Sequence, residues 1–325
     1  MGTSTVVTGP ETTLLRLASG NGPVKRRILC TPLRDALSTE IPVIDISLAF
    51  SMSLADRMSV AQQVRNASTT CGFFYLTNHG IDPCITDSAF AACLDYFRQD
   101  NDTKMRSWVG KSRYFNGYKP PGSLRINKSE SVDIRESFSW SYDPRYDPDV
   151  KNVRAIPDEA RQFLRMEDFH WDGTSSTPFF KAAIIRYWQS FSNPQVSIGS
   201  HTDFQLFTIL WQDAAGGLQV LNHEGQWIRA APIPGTLVVN IADYMQRITN
   251  DLYVSTVHRA QNFSGSERIS MPFFFGFGLH ESCGVIDTCV KHGDVPKYSE
   301  IACEQWVQRR AQSMHTVESD DENEG

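Results

Sequence analysis

Residues 206–241 read LFTILWQDAAGGLQVLNHEGQWIRAAPIPGTLVVNI, and this stretch decides the fold. It holds four short runs rich in branched and aromatic side chains: Leu206–Trp211, Leu218–Leu221, Trp227–Arg229 and Thr236–Ile241. Such runs suit a pleated, half-buried surface. Turn signals cut them apart, namely Gly216-Gly217, His223-Glu224-Gly225 and Pro232-Ile233-Pro234-Gly235. Working outward, Val196–Ile198 precedes the stretch, and Tyr253–Arg259 and Ile269–Phe277 follow it with the same texture. Short strands in close succession predict a barrel or a double-sheet jelly roll.

Toward the N-terminus the pattern mixes strands and helices. Ile41–Ile46 predicts a buried strand, and Gly72–Thr77 another that ends at the turn Asn78-His79-Gly80. Leu54, Met58, Ala61, Val64 and Ala67 recur at helical spacing and predict a helix over Leu54–Thr70. Further helices are expected over Thr86–Arg106, Pro157–Met166 and Phe179–Trp188, and a last one capped by Ser299 and running to Met314. Ser107–Pro148, rich in Gly, Pro, Tyr and Arg, reads as long loops with one strand near Glu136–Trp140. The expected fold class is α+β, a double-stranded β-helix (jelly-roll) core with flanking helices. The expected division is a loose lead-in over 1–38, an N-terminal domain over 39–150, the jelly-roll domain over 151–315 and a disordered acidic tail over 316–325.

Composition narrows the function. The chain has 325 residues, 41% of them hydrophobic, and a formal net charge of −6. With no block of Lys and Arg, binding to a phosphate backbone is not expected. No apolar run reaches the length of a membrane span, and the first residues lack the pattern of a secretory signal. The seven cysteines are scattered and never spaced C-x-x-C, as in a reduced protein without a zinc cluster. A cytoplasmic monomer acting on a small molecule is the expectation.

His201-Thr202-Asp203 supplies the first chemical signal. In an extended segment, side chains two apart share a face, so one imidazole and one carboxylate can meet the same ion. A second imidazole, His258, lies on the β-prone stretch Val254–His258 several strands later, which a closed sheet can bring opposite. Two imidazoles and one carboxylate on one side of an octahedral ion form the facial triad of non-haem iron(II) oxygenases, with three positions open. Ten residues further, Arg268-Ile269-Ser270 puts a planar guanidinium and a hydroxyl on one face of a strand, a pair suited to a carboxylate.

In this order the motifs resemble the plant- and fungal-type 2-oxoglutarate/iron(II) dioxygenases, the family of isopenicillin N synthase and flavonol synthase relatives. The N-terminal block is Ile41–Ile46, Cys71–Ile81 and Asp133-Ile134-Arg135-Glu136-Ser137-Phe138, the last similar to the family's D-x-K-E-x-F element. The C-terminal block is His201-Thr202-Asp203, Gly216–Val220, Pro234–Asp243, His258-Arg259 and Arg268-Ile269-Ser270. The resemblance implies iron(II) held by His201, Asp203 and His258. It implies 2-oxoglutarate held through its distal carboxylate by Arg268 and Ser270, and dioxygen as the second cosubstrate. The implied reaction couples oxidative decarboxylation of 2-oxoglutarate to hydroxylation, desaturation or ring rearrangement of a small organic molecule, in specialised metabolism. Tyr114, Phe115 and Tyr118 in the long loop, and Phe273 and Phe275 in the aromatic run, are the candidate substrate contacts. Two other readings stay open: an iron oxidase that needs no 2-oxo acid, and an inactive jelly-roll binding protein. The chain departs from the family between Trp188 and His201. Part of the long helix that covers the jelly roll and an Asn-x-Tyr element are missing there, either in the protein itself or through an exon lost from the sequence.

Overall fold

The protein's structure, a computed structural model, describes residues 11–17, 19, 21, 24–123, 133–190, 201–262 and 264–315. The expected strand Val196–Ile198, the shortened segment before His201 and the acidic tail lie outside the described residues.

Two sheets form the core. The larger has the strand order Ser270–Phe275, Phe207–Gln212, Leu237–Ile241, Phe73–Thr77, Val43–Asp45. Its first three pairings are antiparallel and its last is parallel. The smaller runs His258–Ala260, Leu218–Leu221, Trp227–Arg229, Arg34–Asp35, again with a parallel last pair. A segment from the first part of the chain thus extends each jelly-roll sheet.

Strand alternation sorts the core into layers. Phe73, Tyr75 and Val238 of the larger sheet meet Leu218, Val220 and Ile228 of the smaller one between the sheets. The intervening side chains Phe74 and Val239 point the other way, where Val60 and Ala67 of the helix Leu54–Thr70 cover them. Farther along that outer face, Met271 and Phe273 lie under the helices Pro83–Phe97 and Pro178–Gln189 in a large aromatic cluster. Tyr187 of the second helix donates its hydroxyl to the Met271 carbonyl at 2.7 Å, a buried pin between helix and sheet.

Several expectations need correction. The helix Leu54–Thr70 has the expected ends, capped by the Ser53 side chain. The expected stripe is buried only in its second half: Val64 and Ala67 pack in the core together with Val60, while Leu54 and Met58 are exposed. The helix expected over Thr86–Arg106 is two, Pro83–Phe97 and Asn101–Met105, because the Asp100 side chain accepts from Thr103 N and starts a new one. The run Pro157–Met166 keeps only a turn of helix, Asp158–Arg161. Ser299 caps nothing: Ile301–Ala302 is a strand paired with Ser282–Cys283, and the last helix is Cys303–His315. The lead-in is not loose throughout. Thr12–Leu17 and Val24–Leu29 form an antiparallel hairpin whose Leu15 and Leu17 are buried against Leu221, Trp227 and Val257.

Candidate metal centre

His201 and His258 face each other across an antiparallel bridge, each backbone N–H donating to the other's carbonyl at 3.0 Å. That pairing carries the second imidazole across the sheet to the first, and the two rings lie 4.4 Å apart between centroids. Asp203, two residues beyond His201, completes the set, with its Oδ1 3.2 Å from His201 Nε2. One ligand atom from each of the three lies within 4.8 Å of the others. All three side chains are buried, at 8%, 3% and 7% exposure for His201, Asp203 and His258.

The neighbours fix how these side chains point. Asn240 Nδ2 donates to Asp203 Oδ2 at 2.7 Å, and the Thr208 hydroxyl donates to the same oxygen. Both bonds anchor one carboxylate oxygen, which stands 3.8 Å from His258 Nε2, and leave the other facing His201. His258 Nδ1 lies 3.1 Å from the Thr256 carbonyl. A proton on Nδ1 satisfies that carbonyl and turns the Nε2 lone pair toward Asp203, as a metal ligand requires. Burial, with His258 close by, lowers the His201 imidazole to about 4. Burial acts to raise the Asp203 carboxyl, but His258, His201 and the Asn240 amide outweigh it and hold it below its usual range. A neutral His201 imidazole beside an ionised Asp203 carboxylate is a protonation state that binds a divalent cation. The donor set fits iron(II): nitrogen and oxygen ligands on one side, with coordination positions left for other molecules.

Arg268 and Ser270 are also brought together. Arg268 Nη1 donates to Ser270 Oγ at 3.0 Å, and its Nε donates to the Gly216 carbonyl. Gly217 permits this approach, since at φ +96° a Cβ there would stand 2.4 Å from the Gln261 carbonyl and 3.3 Å from Arg268 Nε. Ser270 lies opposite Gln212, on the same face of the sheet as Thr208 and Asn240, so the guanidinium end and the metal end share the interior face.

The expected substrate contacts fare differently. Tyr118 is 0% and Phe273 2% exposed, both packed in the helical-side cluster, so neither lines a cavity. Phe275 stacks on Phe207 on that same outer face. Alternation places Phe274, not Phe273 or Phe275, on the interior face with Ser270. Tyr114 lies under Arg165, 5.7 Å from ring to guanidinium, and Phe115 is half-exposed beside Lys119. Sequence reading missed Thr208, Asn240 and Thr256. Asn240 stands within the quoted motif Pro234–Asp243, and the parity of Leu237–Ile241 was the signal that could have found it. A crevice of about 340 Å³ lined by Asp95, Arg98, Phe179 and Phe180 lies among the helices and holds none of these groups.

Comparison with known proteins bears on this geometry. The profile described as 2OG-Fe(II) oxygenase superfamily matches residues 179–277, and that described as non-haem dioxygenase in morphine synthesis N-terminal matches 41–159. A 2-oxoglutarate-Fe(II) type oxidoreductase of Metarhizium majus, ppzC, is 48% identical over 363 aligned positions covering 95% of this chain and 97% of that protein. Those 363 positions are 38 more than the 325 residues of the chain, so the alignment leaves internal stretches of the relative without a counterpart here. A full-length Neurospora crassa protein solved in complex with alpha-KG and thymine superposes with a TM-score of 0.61 at 25% identity, covering 84% of this chain and 97% of that one. A 2OG-Fe(II) oxygenase family protein from Caulobacter crescentus shares the fold, with a TM-score of 0.65 at 23% identity over 84% of this chain and 98% of its own. The chain therefore belongs to the 2-oxoglutarate- and iron(II)-dependent dioxygenases, enzymes that oxidise small molecules with both as cofactors.

Proposed function

We propose that His201, Asp203 and His258 hold the iron, and that Arg268 and Ser270 hold the distal carboxylate of 2-oxoglutarate. The convergence of two imidazoles and a doubly anchored carboxylate within 4.8 Å is the observation that carries this reading. Iron(II) with 2-oxoglutarate supplies an oxidising centre through oxidative decarboxylation of the cosubstrate. The protein's part is positional. The bonds from Asn240 and Thr208 hold Asp203 in one orientation, and Thr256 sets the His258 tautomer. Arg268 offers a planar fork, and Ser270 beside it a hydroxyl able to reach the same carboxylate. Burial of the three ligand side chains keeps water from competing for them.

The substrate is read as a small organic molecule of specialised metabolism, oxidised in the cytoplasm by a monomer with no nucleic-acid or membrane partner. The fungal relative and a sequence without a block of Lys and Arg support this reading. Among the described residues no helix is long and apolar enough to cross a membrane. The test is succinate release under air with iron(II) and 2-oxoglutarate. Succinate that depends on both, and is lost in His201→Ala, supports the assignment. Oxygen uptake that needs iron but no 2-oxo acid would replace it with the oxidase reading.

A further inference from the structure

His201 and Asp203 turn their side chains together, 3.2 Å apart, which leaves Thr202 between them facing the other way. Thr202 is buried, and its hydroxyl donates to Asp243 Oδ2 at 3.0 Å. The Asp243 backbone N–H donates to the Asp203 carbonyl at 2.8 Å. His201 is held by its bridge to His258. Each residue of the triplet is thus pinned, two of the three by Asp243. Asp243 opens the short helix Asp243–Ile248 and turns its carboxylate back to the triplet. A carboxylate only 2% exposed is costly to bury unless donors reach it, and a second hydroxyl meets the same oxygen.

That hydroxyl belongs to Ser19, between the two strands of the N-terminal hairpin, and lies 3.0 Å from Asp243 Oδ2. Asn21, two residues on, donates its side-chain amide to the Asp243 carbonyl at 3.1 Å and accepts from Arg247 Nη1 at 3.4 Å. The hairpin also reaches the other ligand-bearing segment. Leu15 and Leu17 share a buried cluster with Val257, the residue before His258. One element therefore packs against both ligand segments, at positions adjacent to the ligands in sequence. A two-stranded hairpin is marginal by itself, so its seating and the placement of these segments depend on each other.

We propose that Asp243 is a positioning residue of the metal centre, and that it couples the seating of the N-terminal hairpin to the placement of His201 and Asp203. One carboxylate oxygen takes a hydroxyl from the triplet and a hydroxyl from the hairpin, so loss of either donor frees that oxygen to shift and the triplet with it. Asp243 acts through Thr202 and the Asp203 backbone, not on the ion itself. The inference rests on the assignment of the metal ligands above.

The experiment is anaerobic titration of the full-length protein with iron(II), and with cobalt(II), whose visible d–d bands report ligand geometry, alongside urea unfolding. Asp243→Ala and Thr202→Val should each weaken both metals about tenfold, and Ser19→Ala roughly threefold, at or below the range for groups bonded directly to a ligand. Ser19→Ala should add nothing in the Asp243→Ala background. Asp243→Asn keeps an acceptor oxygen and should bind metal within about threefold of wild type, closer to it than Asp243→Ala. The cobalt bands should shift in Asp243→Ala and Thr202→Val, whereas a loss of stability alone would leave the bands of the folded protein unchanged. Should Asp243→Ala not fold, Thr202→Val and Ser19→Ala, which each lose one hydroxyl, carry the test. Wild-type affinity and unshifted bands in Thr202→Val overturn the proposal, whatever happens to the urea midpoint. Asp243→Asn as damaging as Asp243→Ala overturns it too, by giving the effect to charge, and wild-type affinity in Ser19→Ala overturns the coupling to the hairpin. Wild-type protein that binds metal no better than Asp203→Ala contradicts the ligand assignment instead, so the two failures are distinguishable.

Discussion

Asn240→Ala should leave the fold standing and weaken iron binding by about 10–100-fold, the usual effect of removing a group that orients a metal ligand. Thr208→Val should act in the same direction, since both side chains donate to one oxygen of Asp203. Iron titration followed by circular dichroism checks both, and unchanged iron affinity in both variants would remove the orienting role. Arg268→Lys exchanges a planar fork for a point charge and should weaken 2-oxoglutarate by roughly 1.5–3 kcal/mol, about 10–150-fold in Kd. Equilibrium binding of 2-oxoglutarate reads this directly. At this scale the sequence was most legible where chemistry and spacing coincide. His201-x-Asp203 and Arg268-x-Ser270 each share a face by parity, and the structure brings each pair together. The aromatic run was less legible: nothing in a row of phenylalanines says which parity faces inward, and Phe274 rather than its neighbours does so.

Elements were legible where hydrophobic pattern and turn residues agreed. Leu218–Leu221 and Trp227–Arg229 stand as read, because a glycine-bearing turn ends each run. Patterns set by tertiary contact were not. Leu54 and Met58 fit a helical stripe but face solvent, while Val64 and Ala67 of the same stripe meet the sheet together with Val60. The hairpin Thr12–Leu17 with Val24–Leu29 carries charged residues on its exposed positions and reads as loop until its partners Leu221 and Trp227 are known. The helix Pro178–Gln189 offers a paired test. Phe180, 2% exposed and stacked on Tyr96 with centroids 4.3 Å apart, should cost about 3–5 kcal/mol on change to Ala. Its neighbour Phe179, 80% exposed, should cost within about 0.5 kcal/mol. Urea unfolding separates them, and equal losses would mean that the helix does not pack on the sheet as described.

For the whole molecule, pH and the central assignment give the broadest tests. His170 is 3% exposed among Trp171, Phe138 and Phe169, and neither ring nitrogen has a hydrogen-bond partner among the described residues. Burial lowers its imidazole to about 4. The unfolded chain binds a proton near pH 6.5 that the folded protein refuses, so stability is present above that pH and falls as pH drops toward 4. The loss should approach about 3 kcal/mol, and His170→Leu should flatten that part of the pH–stability curve. A curve of unchanged slope would place the acid sensitivity elsewhere. The sequence breaks from the family pattern in a shortened segment before His201, and the alignment to the Metarhizium relative is longer than the chain itself without fixing where the extra positions fall. Restoring such a segment should raise solubility and stability, because covering apolar surface contributes about 25 cal/mol per Å². The most direct test of the central claim is anaerobic absorption spectroscopy of the protein mixed with iron(II) and 2-oxoglutarate. A visible metal-to-ligand charge-transfer band that saturates with one iron per chain, disappears in Asp203→Ala and needs far more 2-oxoglutarate in Arg268→Lys is the expected result. A folded wild-type protein that binds iron yet shows no such band at saturating 2-oxoglutarate would contradict the account.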